Sequence, residues 1–216
     1  MARSAKRPFA AHLYKAVAPV QNRYAFMMSG DGLSTPLTDA LCTGLSHAGI
    51  STARVRAISY FWSRRSPFVM ARHLERKLRR RLVRFPKDRF LLIGYSFGAG
   101  TLPFAVNRLP KDLINRIDGV AVLAVPESAD FEFYFRSWFN KSTKNARPTG
   151  PELEALSEKV PVLYLRGQDD FIGPSQTLKT SDRLILTTLA GGHMFNKDYE
   201  TLVELILARF PNRPVS

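Results

Sequence analysis

The chain has 216 residues, 45% hydrophobic and 23% charged, with a net charge of +14. That length and balance predict one globular domain with a sizeable core, and no apolar run approaches the roughly 20 residues of a membrane-spanning helix. A single cysteine, Cys42, excludes an internal disulfide and a cysteine-based zinc site, and no metal or cofactor motif is read in the chain.

Residues 1–22 open with basic residues and reach Ala16-Val17-Ala18, which superficially resembles a signal peptide. The middle is too short and is interrupted by His12, Tyr14 and Lys15, so the segment reads as a non-cleaved, partly flexible lead-in. A single domain is then expected over 23–216. Residues 24–28 read as a strand and 36–48 as a helix ended by Gly49, with Cys42 a buried, inert thiol. A strand follows at 53–58. Residues 68–84 form a helix with Leu74, Leu78 and Leu82 on one face and cations elsewhere. It reads as a solvated outer helix whose arginine stems cover apolar surface. Its sharper reading is a patch for an anionic partner, a phospholipid surface rather than nucleic acid, for which no motif is present.

Residues 90–93 are a short apolar strand, followed by Gly94-Tyr95-Ser96-Phe97-Gly98 and a small-residue helix over 98–109. The Gly-x-Ser-x-Gly pattern alone is weak. A buried strand before it and a helix after it are the context in which a sharp turn lifts a serine hydroxyl above a sheet. Glycine flanks such a turn because a Cβ there would strike the neighbouring strand and helix. Ser96 is therefore the candidate nucleophile.

Strands at 120–125, 160–165 and 184–189 follow, and residues 199–210 close the chain as a helix with Leu202, Leu205, Ile206 and Phe210 on one face. Strands joined by helical crossovers mean an α/β fold with a mostly parallel sheet covered on both faces. Residues 127–157 break the alternation with F-E-F-Y-F-R-S-W-F-N and then K-S-T-K-N-A-R-P-T-G-P. This segment reads either as a short cap over a pocket or as a helix packed on the core. Its start at the carboxyl end of a strand, where ligands bind in such sheets, favours the cap.

A serine nucleophile needs a base. Of the four histidines, His12 lies in the lead-in, His47 ends a helix and His73 stands among arginines that disfavour its protonated form. His193 follows the last strand through Ala190-Gly191-Gly192, where the chain order serine, acid, histidine of the α/β-hydrolase fold places the base. The acid belongs after the strand before it, where Gly167-Gln168-Asp169-Asp170 stands. Asp170 is preferred and Asp169 is the alternate. An oxyanion hole needs two convergent backbone donors. The Phe97 amide is the first, and Gly30 or Asp31, in the glycine-containing loop after the first strand, supplies the second.

The runs S-G-D-G (29–32), S-Y-F-W-S-R-R-S-P (59–67), L-I-G-Y-S-F-G-A (92–99), L-P-F (102–104), N-R-L-P (107–110), F-E-F with the later Trp138, and G-G-H-M-F (191–195) occur in this order. Together they resemble the VirJ/AcvB family of bacterial virulence-associated proteins. The chain departs from the family at Leu33, at Met194 and in lacking additional cysteines. The resemblance implies an α/β-hydrolase fold, periplasmic residence, and hydrolysis of the aminoacyl ester of phosphatidylglycerol, linked to virulence and type IV secretion. On that reading the anionic phospholipid surface is a partner, and Asp31, Asp130 and Glu132 bind the lysyl ammonium groups. Phe131 and Trp138 belong to an aromatic cap. The alternatives are an esterase or thioesterase for another acyl substrate, a non-catalytic partner in a secretion assembly, and a cytoplasmic location.

Overall fold

The computed structural model describes residues 10–20, 22–30, 36–132, 146–174 and 178–211. In chain order the elements are β1 (Ala11–Tyr14), β2 (Arg23–Met28), α1 (Pro36–His47), β3 (Ser51–Val55), α2 (Ala57–Tyr60) and α3 (Pro67–Arg84). Next come β4 (Arg89–Tyr95), α4 (Phe97–Val106), α5 (Lys111–Ile114), β5 (Ile117–Leu123), β6 (Ser128–Ala129) and β7 (Arg147–Pro148). The chain ends with α6 (Gly150–Ser157), β8 (Val162–Gly167), β9 (Leu184–Leu189) and α7 (Tyr199–Arg209).

Seven strands form one sheet in the spatial order β1-β3-β2-β4-β5-β8-β9. All neighbours are parallel except β1, which pairs antiparallel with β3 from Ala11 opposite Val55 to Tyr14 opposite Thr52. Alternate residues of each strand point to opposite faces, and the two faces bury different helices. Phe26, Phe90, Leu92 and Val122 pack with Met70, Leu74 and Leu78 of α3, with Leu102 of α4 and with Leu153 and Leu156 of α6. Met27, Leu91, Ile93 and Leu123 pack with Leu41 and Leu45 of α1 and with Leu202 and Ile206 of α7. These central strands read as continuous apolar runs because both faces are covered.

From β2 the chain lays β3 on one side and returns to place β4 on the other. The connections leaving β2 and β4 therefore run to opposite faces, the arrangement that in open α/β sheets puts ligands beyond the carboxyl ends of the strands. Gly30 and Ser96 stand at those ends.

Three expectations change. In the lead-in, where no strand is expected, residues 11–14 form an edge strand. It is tied down from a distance: the Tyr14 hydroxyl donates to Asp39, the Ser46 hydroxyl to the Lys15 carbonyl, and the Val17 amide to the Ser46 carbonyl. Strand limits also move. The β5 strand stops at Leu123 because Ala124 takes a left-handed φ of 51°, and β3 stops at Val55 because the chain turns into α2. Finally, residues 127–157 are not one cap. Ser128 and Ala129 pair with Pro148 and Arg147 as a small ribbon, and α6 is the crossover helix that the parallel pair β5 and β8 requires. The cap expectation contracts to the connection between β6 and β7, whose residues 133–145 lie outside the described residues.

Candidate active site

Ser96 sits between β4 and α4 with φ 52° and ψ −119°, a strained conformation for a residue with a side chain. Its amide donates to the Leu123 carbonyl at 2.9 Å, and its carbonyl accepts the Gly100 amide at 2.9 Å. The turn is thus bonded to β5 on one side and to α4 on the other. A Cβ on Gly94 would lie 2.8 Å from Ala99 Cα, and one on Gly98 would lie 2.3 Å from the Met28 carbonyl oxygen. Both flanking glycines are required by contact with backbone.

Phe97 is the first residue of α4, and an amide at that position has no acceptor within its helix. The loop after β2 approaches the same point, since a Cβ on Gly30 would lie 3.3 Å from Ser96 Cβ. Ser29, buried at 2% exposure, holds that loop. Its amide donates to the Val55 carbonyl at 3.0 Å, its hydroxyl accepts the Ala57 amide at 3.2 Å, and the hydroxyl donates to the Gly30 carbonyl at 3.0 Å. Asp31 lies outside the described residues.

The structure brings the predicted base and acid together. His193 Nε2 is 2.8 Å from Ser96 Oγ, and His193 Nδ1 is 2.9 Å from Asp170 Oδ2. Asp170 is 5% exposed, whereas Asp169 is exposed. The loops after β8 and β9 are laced to each other. The Gln168 amide donates to Leu189 at 2.7 Å and the Asp169 amide to Gly191 at 3.0 Å. A Cβ on Gly167 would lie 2.2 Å from the Gly192 carbonyl oxygen, so the two backbones touch. The Asp170 amide closes a turn onto Gly167 at 3.1 Å, and Arg166 Nε donates to the Asp170 carbonyl at 3.2 Å. Asp170 and His193 are therefore carried on two loops bonded to each other through their backbones.

The loop bearing His193 is strained. Gly191 has φ 92°, and Phe195, Asn196 and Lys197 follow with φ of 52°, 52° and 65°. Left-handed backbone costs a residue with a Cβ about 1–2 kcal/mol, so such a turn persists only where its surroundings fix it. Phe195, 1% exposed, is buried in the core, and the Asp198 carboxylate accepts the Thr201 amide to begin α7.

From Phe97, the residue after Ser96, runs a row of aromatic rings. Phe97 lies 5.0 Å from Phe61, Phe61 lies 6.1 Å from Phe131, and Phe131 lies 5.3 Å from Phe104, centroid to centroid. Phe131 is held there by its carbonyl, which accepts the Arg65 amide at 2.7 Å. Asp130 and Glu132 flank it, both partly exposed and both engaged in interactions of their own. Trp138 lies outside the described residues. The remaining histidines stand elsewhere: His12 on β1, His47 at the end of α1, and His73 on α3 with Nδ1 2.9 Å from the Tyr60 hydroxyl. Burial first, then Arg76, Arg65 and Arg72, holds the His73 imidazole below its ordinary pKa. Cys42 is fully buried with its thiol 3.4 Å from Met27 Sδ, and burial pushes its pKa up to about 12, as an inert core thiol requires.

The motif reading missed Ser29, Tyr95 and Arg166 as supports of the site. For Tyr95 a signal was present. It shares parity with Leu91 and Ile93, so it faces the α1 and α7 side, where the loop bearing His193 arrives.

The covered parallel sheet, the serine turn after β4 and the histidine loop after β9 define an α/β-hydrolase fold. Solved structures agree on the fold. The chain is similar to the esterase domain of a Rhodothermus marinus protein (TM-score 0.63, 15% identity, 92% of this chain and 90% of that one). It is similar to Est1E from Butyrivibrio proteoclasticus (0.63, 14%, 94% of each chain). It is also similar to a soluble variant of monoglyceride lipase from Saccharomyces cerevisiae in complex with a substrate analog (0.65, 14%, 95% and 92%). No curated protein matches the sequence. The chain belongs to the family described as bacterial virulence protein (VirJ), which it matches over residues 22–214. Among the described residues no helix is long and apolar enough to cross a membrane.

Proposed function

We propose that the chain is a carboxylic-ester hydrolase in which Ser96 is the nucleophile, His193 the proton carrier and Asp170 the group that orients it. The pair of contacts made by His193, 2.8 Å to Ser96 Oγ and 2.9 Å to Asp170 Oδ2, carries the reading. With Nδ1 donating to the Asp170 carboxylate, Nε2 accepts the Ser96 proton as the oxygen attacks the ester carbonyl. Asp170 then stabilises the imidazolium. The oxyanion accepts from the Phe97 amide, and the loop at Gly30 and Asp31 supplies the second donor. Collapse breaks the bond to the alcohol, which leaves with the proton from Nε2. Water then gives a proton to Nε2 and attacks the acyl-serine, releasing the acid and restoring Ser96.

The substrate proposed is the aminoacyl ester of phosphatidylglycerol, the lysyl ester above all, met at an anionic membrane surface. Membership of the virulence-associated family supports this, as does the net charge of +14, since an anionic surface attracts cations. Asp130 and Glu132, beside the aromatic row, suit the ammonium groups of a lysyl chain. Two of the similar structures are named an esterase and a lipase, which favours an ester. Periplasmic residence and a link to type IV secretion belong to the same proposal.

The test is to incubate the purified protein with vesicles containing lysyl-phosphatidylglycerol and to follow the lipids by thin-layer chromatography. Release of lysine by the wild type and not by Ser96→Ala is the expected result. Turnover of soluble esters without lysine release would move the substrate to another ester. No turnover of either, with no labelling of Ser96 by a fluorophosphonate, would leave a non-catalytic partner.

A further inference from the structure

We infer that Tyr95 is a positioning residue for the base, holding His193 against Ser96 from the side of the nucleophile's own turn. The inference rests on the hydrolase reading above. Tyr95 closes β4, directly before Ser96, and is 3% exposed. Its hydroxyl lies 3.2 Å from the His193 carbonyl oxygen and 2.9 Å from Met194 Sδ. Its ring stands 5.4 Å from the His193 imidazole, centroid to centroid. A Cβ on Gly30 would lie 3.2 Å from Tyr95 Cδ1, so the same ring borders the loop of the expected oxyanion donor. One side chain thus touches the oxyanion loop and the base loop while its backbone leads into the nucleophile.

The base loop needs such a hold because it stores strain. Residues 195–197 are all left-handed and none is glycine, and a turn of this kind relaxes unless it is fixed from several directions. Burial of Phe195 fixes it from the core, and the Asp169 amide on the Gly191 carbonyl fixes it from β8. The Tyr95 hydroxyl acts on the His193 carbonyl itself, nearest the reacting nitrogen. Packing accounts for the ring but not for the hydroxyl, which must find a partner when buried. Two partners of that hydroxyl, the His193 carbonyl and Met194 Sδ, belong to the base loop.

Fluorophosphonate labelling of Ser96 tests this without knowledge of the natural substrate, because it needs only an activated serine. Labelling rates and thermal melts would be compared for the wild type, Tyr95→Phe, Lys197→Gly and the double variant. Lys197 is exposed with φ 65°, so glycine there relieves strain without touching the site. Loss of the hydroxyl is expected to slow labelling about tenfold while the melting temperature moves by no more than about 3 °C, since small displacements of a reacting group have large rate effects. Lys197→Gly alone should label like the wild type, and in the double variant it should recover about a third or more of the lost rate. A merely structural tyrosine would lower the melting temperature and leave the labelling rate of the folded protein unchanged. A wild type that does not label overturns the hydrolase reading and this inference with it. A wild type that labels while folded Tyr95→Phe labels within about twofold of it overturns this inference alone. A double variant no faster than Tyr95→Phe also overturns it. Should Tyr95→Phe not fold, Met194→Leu supplies the second arm. It removes the sulfur and leaves the carbonyl as acceptor, so labelling should stay within about threefold of the wild type; a larger loss overturns the role given to the carbonyl.

Discussion

The carboxylate of Asp170 lies 2.9 Å from His193 Nδ1, while the preceding residue, Asp169, donates its amide to Gly191 at 3.0 Å and is exposed. The backbone bond joins the two loops at Asp169, and the turn that follows buries the next carboxylate under the imidazole. Asp170→Asn should therefore lower kcat by about three orders of magnitude or more, because an amide favours the wrong imidazole tautomer. Asp169→Asn keeps its amide and should stay within about threefold of the wild type. Steady-state rates on a soluble ester decide between them. An Asp169 variant that suffers as badly would show that the acid has been misassigned.

Ser96, His193 and Asp170 act as a unit in the proposed mechanism. Ser96→Ala should leave less than about a thousandth of the wild-type rate, and adding His193→Ala should cost almost nothing further. Rates multiplying across the two substitutions would mean that the groups act separately.

Much of this site was legible because its members follow covalent markers. Ser96 stands between two glycines after an apolar strand, and His193 follows Gly191-Gly192 after another. The choice of Asp170 over Asp169 depended on turn geometry, which the bare sequence left as a preference. What could not be read depends on contacts distant in sequence. The four residues of β1 become a strand through β3 and through Asp39, Ser46 and Ser51. Ala124 ends β5 by adopting a left-handed conformation that no local propensity favours. The left-handed turn at 195–197 is likewise maintained by its neighbours and goes against local preference. Residues 150–157 form the separate helix α6, but the aromatic run before them led the whole of 127–157 to be read as one segment.

Close backbone contact at the nucleophile turn makes its glycines sensitive. Gly98→Ala would place a Cβ 2.3 Å from the Met28 carbonyl oxygen and 2.5 Å from that of Ser29, neither of which is a flexible side-chain end. A loss of about 2–3 kcal/mol is expected in urea unfolding. Gly150→Ala, at the start of α6 with no atom beyond its chain neighbours nearer than 3.6 Å to the new Cβ, is the control; a Cβ before Pro151 disfavours helical backbone, so it should cost up to about 1 kcal/mol and no more. Equal effects at the two positions would remove the steric argument.

His73 gives stability a dependence on pH that is separate from catalysis. Its pKa is lowered from 6.5, first by burial and then by Arg76, Arg65 and Arg72, so the unfolded chain takes up the proton before the folded one does. Its contribution is complete above 6.5 and is lost as pH falls below that value towards the folded pKa. The fall in melting temperature between about pH 7.5 and pH 5.5 should therefore be smaller in His73→Gln than in the wild type. An undiminished fall in the variant would place the titration elsewhere.

Two sets stand out among the cations of α3, one bonded to the rest of the fold and one along its outer face. Arg79 bonds to Glu75 at 2.8 Å and to Asp112 at 2.9 Å, while Arg81 pairs with Asp88 and lies over the rings of Tyr24 and Phe85. These residues bind the helix to the rest of the fold, and changing them would confuse folding with binding. Arg72, Arg76 and Arg80 are exposed and spaced four apart, so they form one stripe along the outer face. If the protein works on an anionic bilayer, each cation near the surface contributes about 1 kcal/mol. Replacing all three by glutamine should then weaken sedimentation with phosphatidylglycerol vesicles by about a hundredfold. Raising the salt from about 0.1 M to about 1 M shortens the screening length from about 10 Å to about 3 Å and should weaken wild-type binding in the same direction. Turnover of a soluble ester should change little under either treatment, because the stripe lies on the outer face of α3 and not among the residues around Ser96. Vesicle turnover indifferent to both the substitutions and the salt would sink the membrane-surface proposal while leaving the hydrolase reading intact.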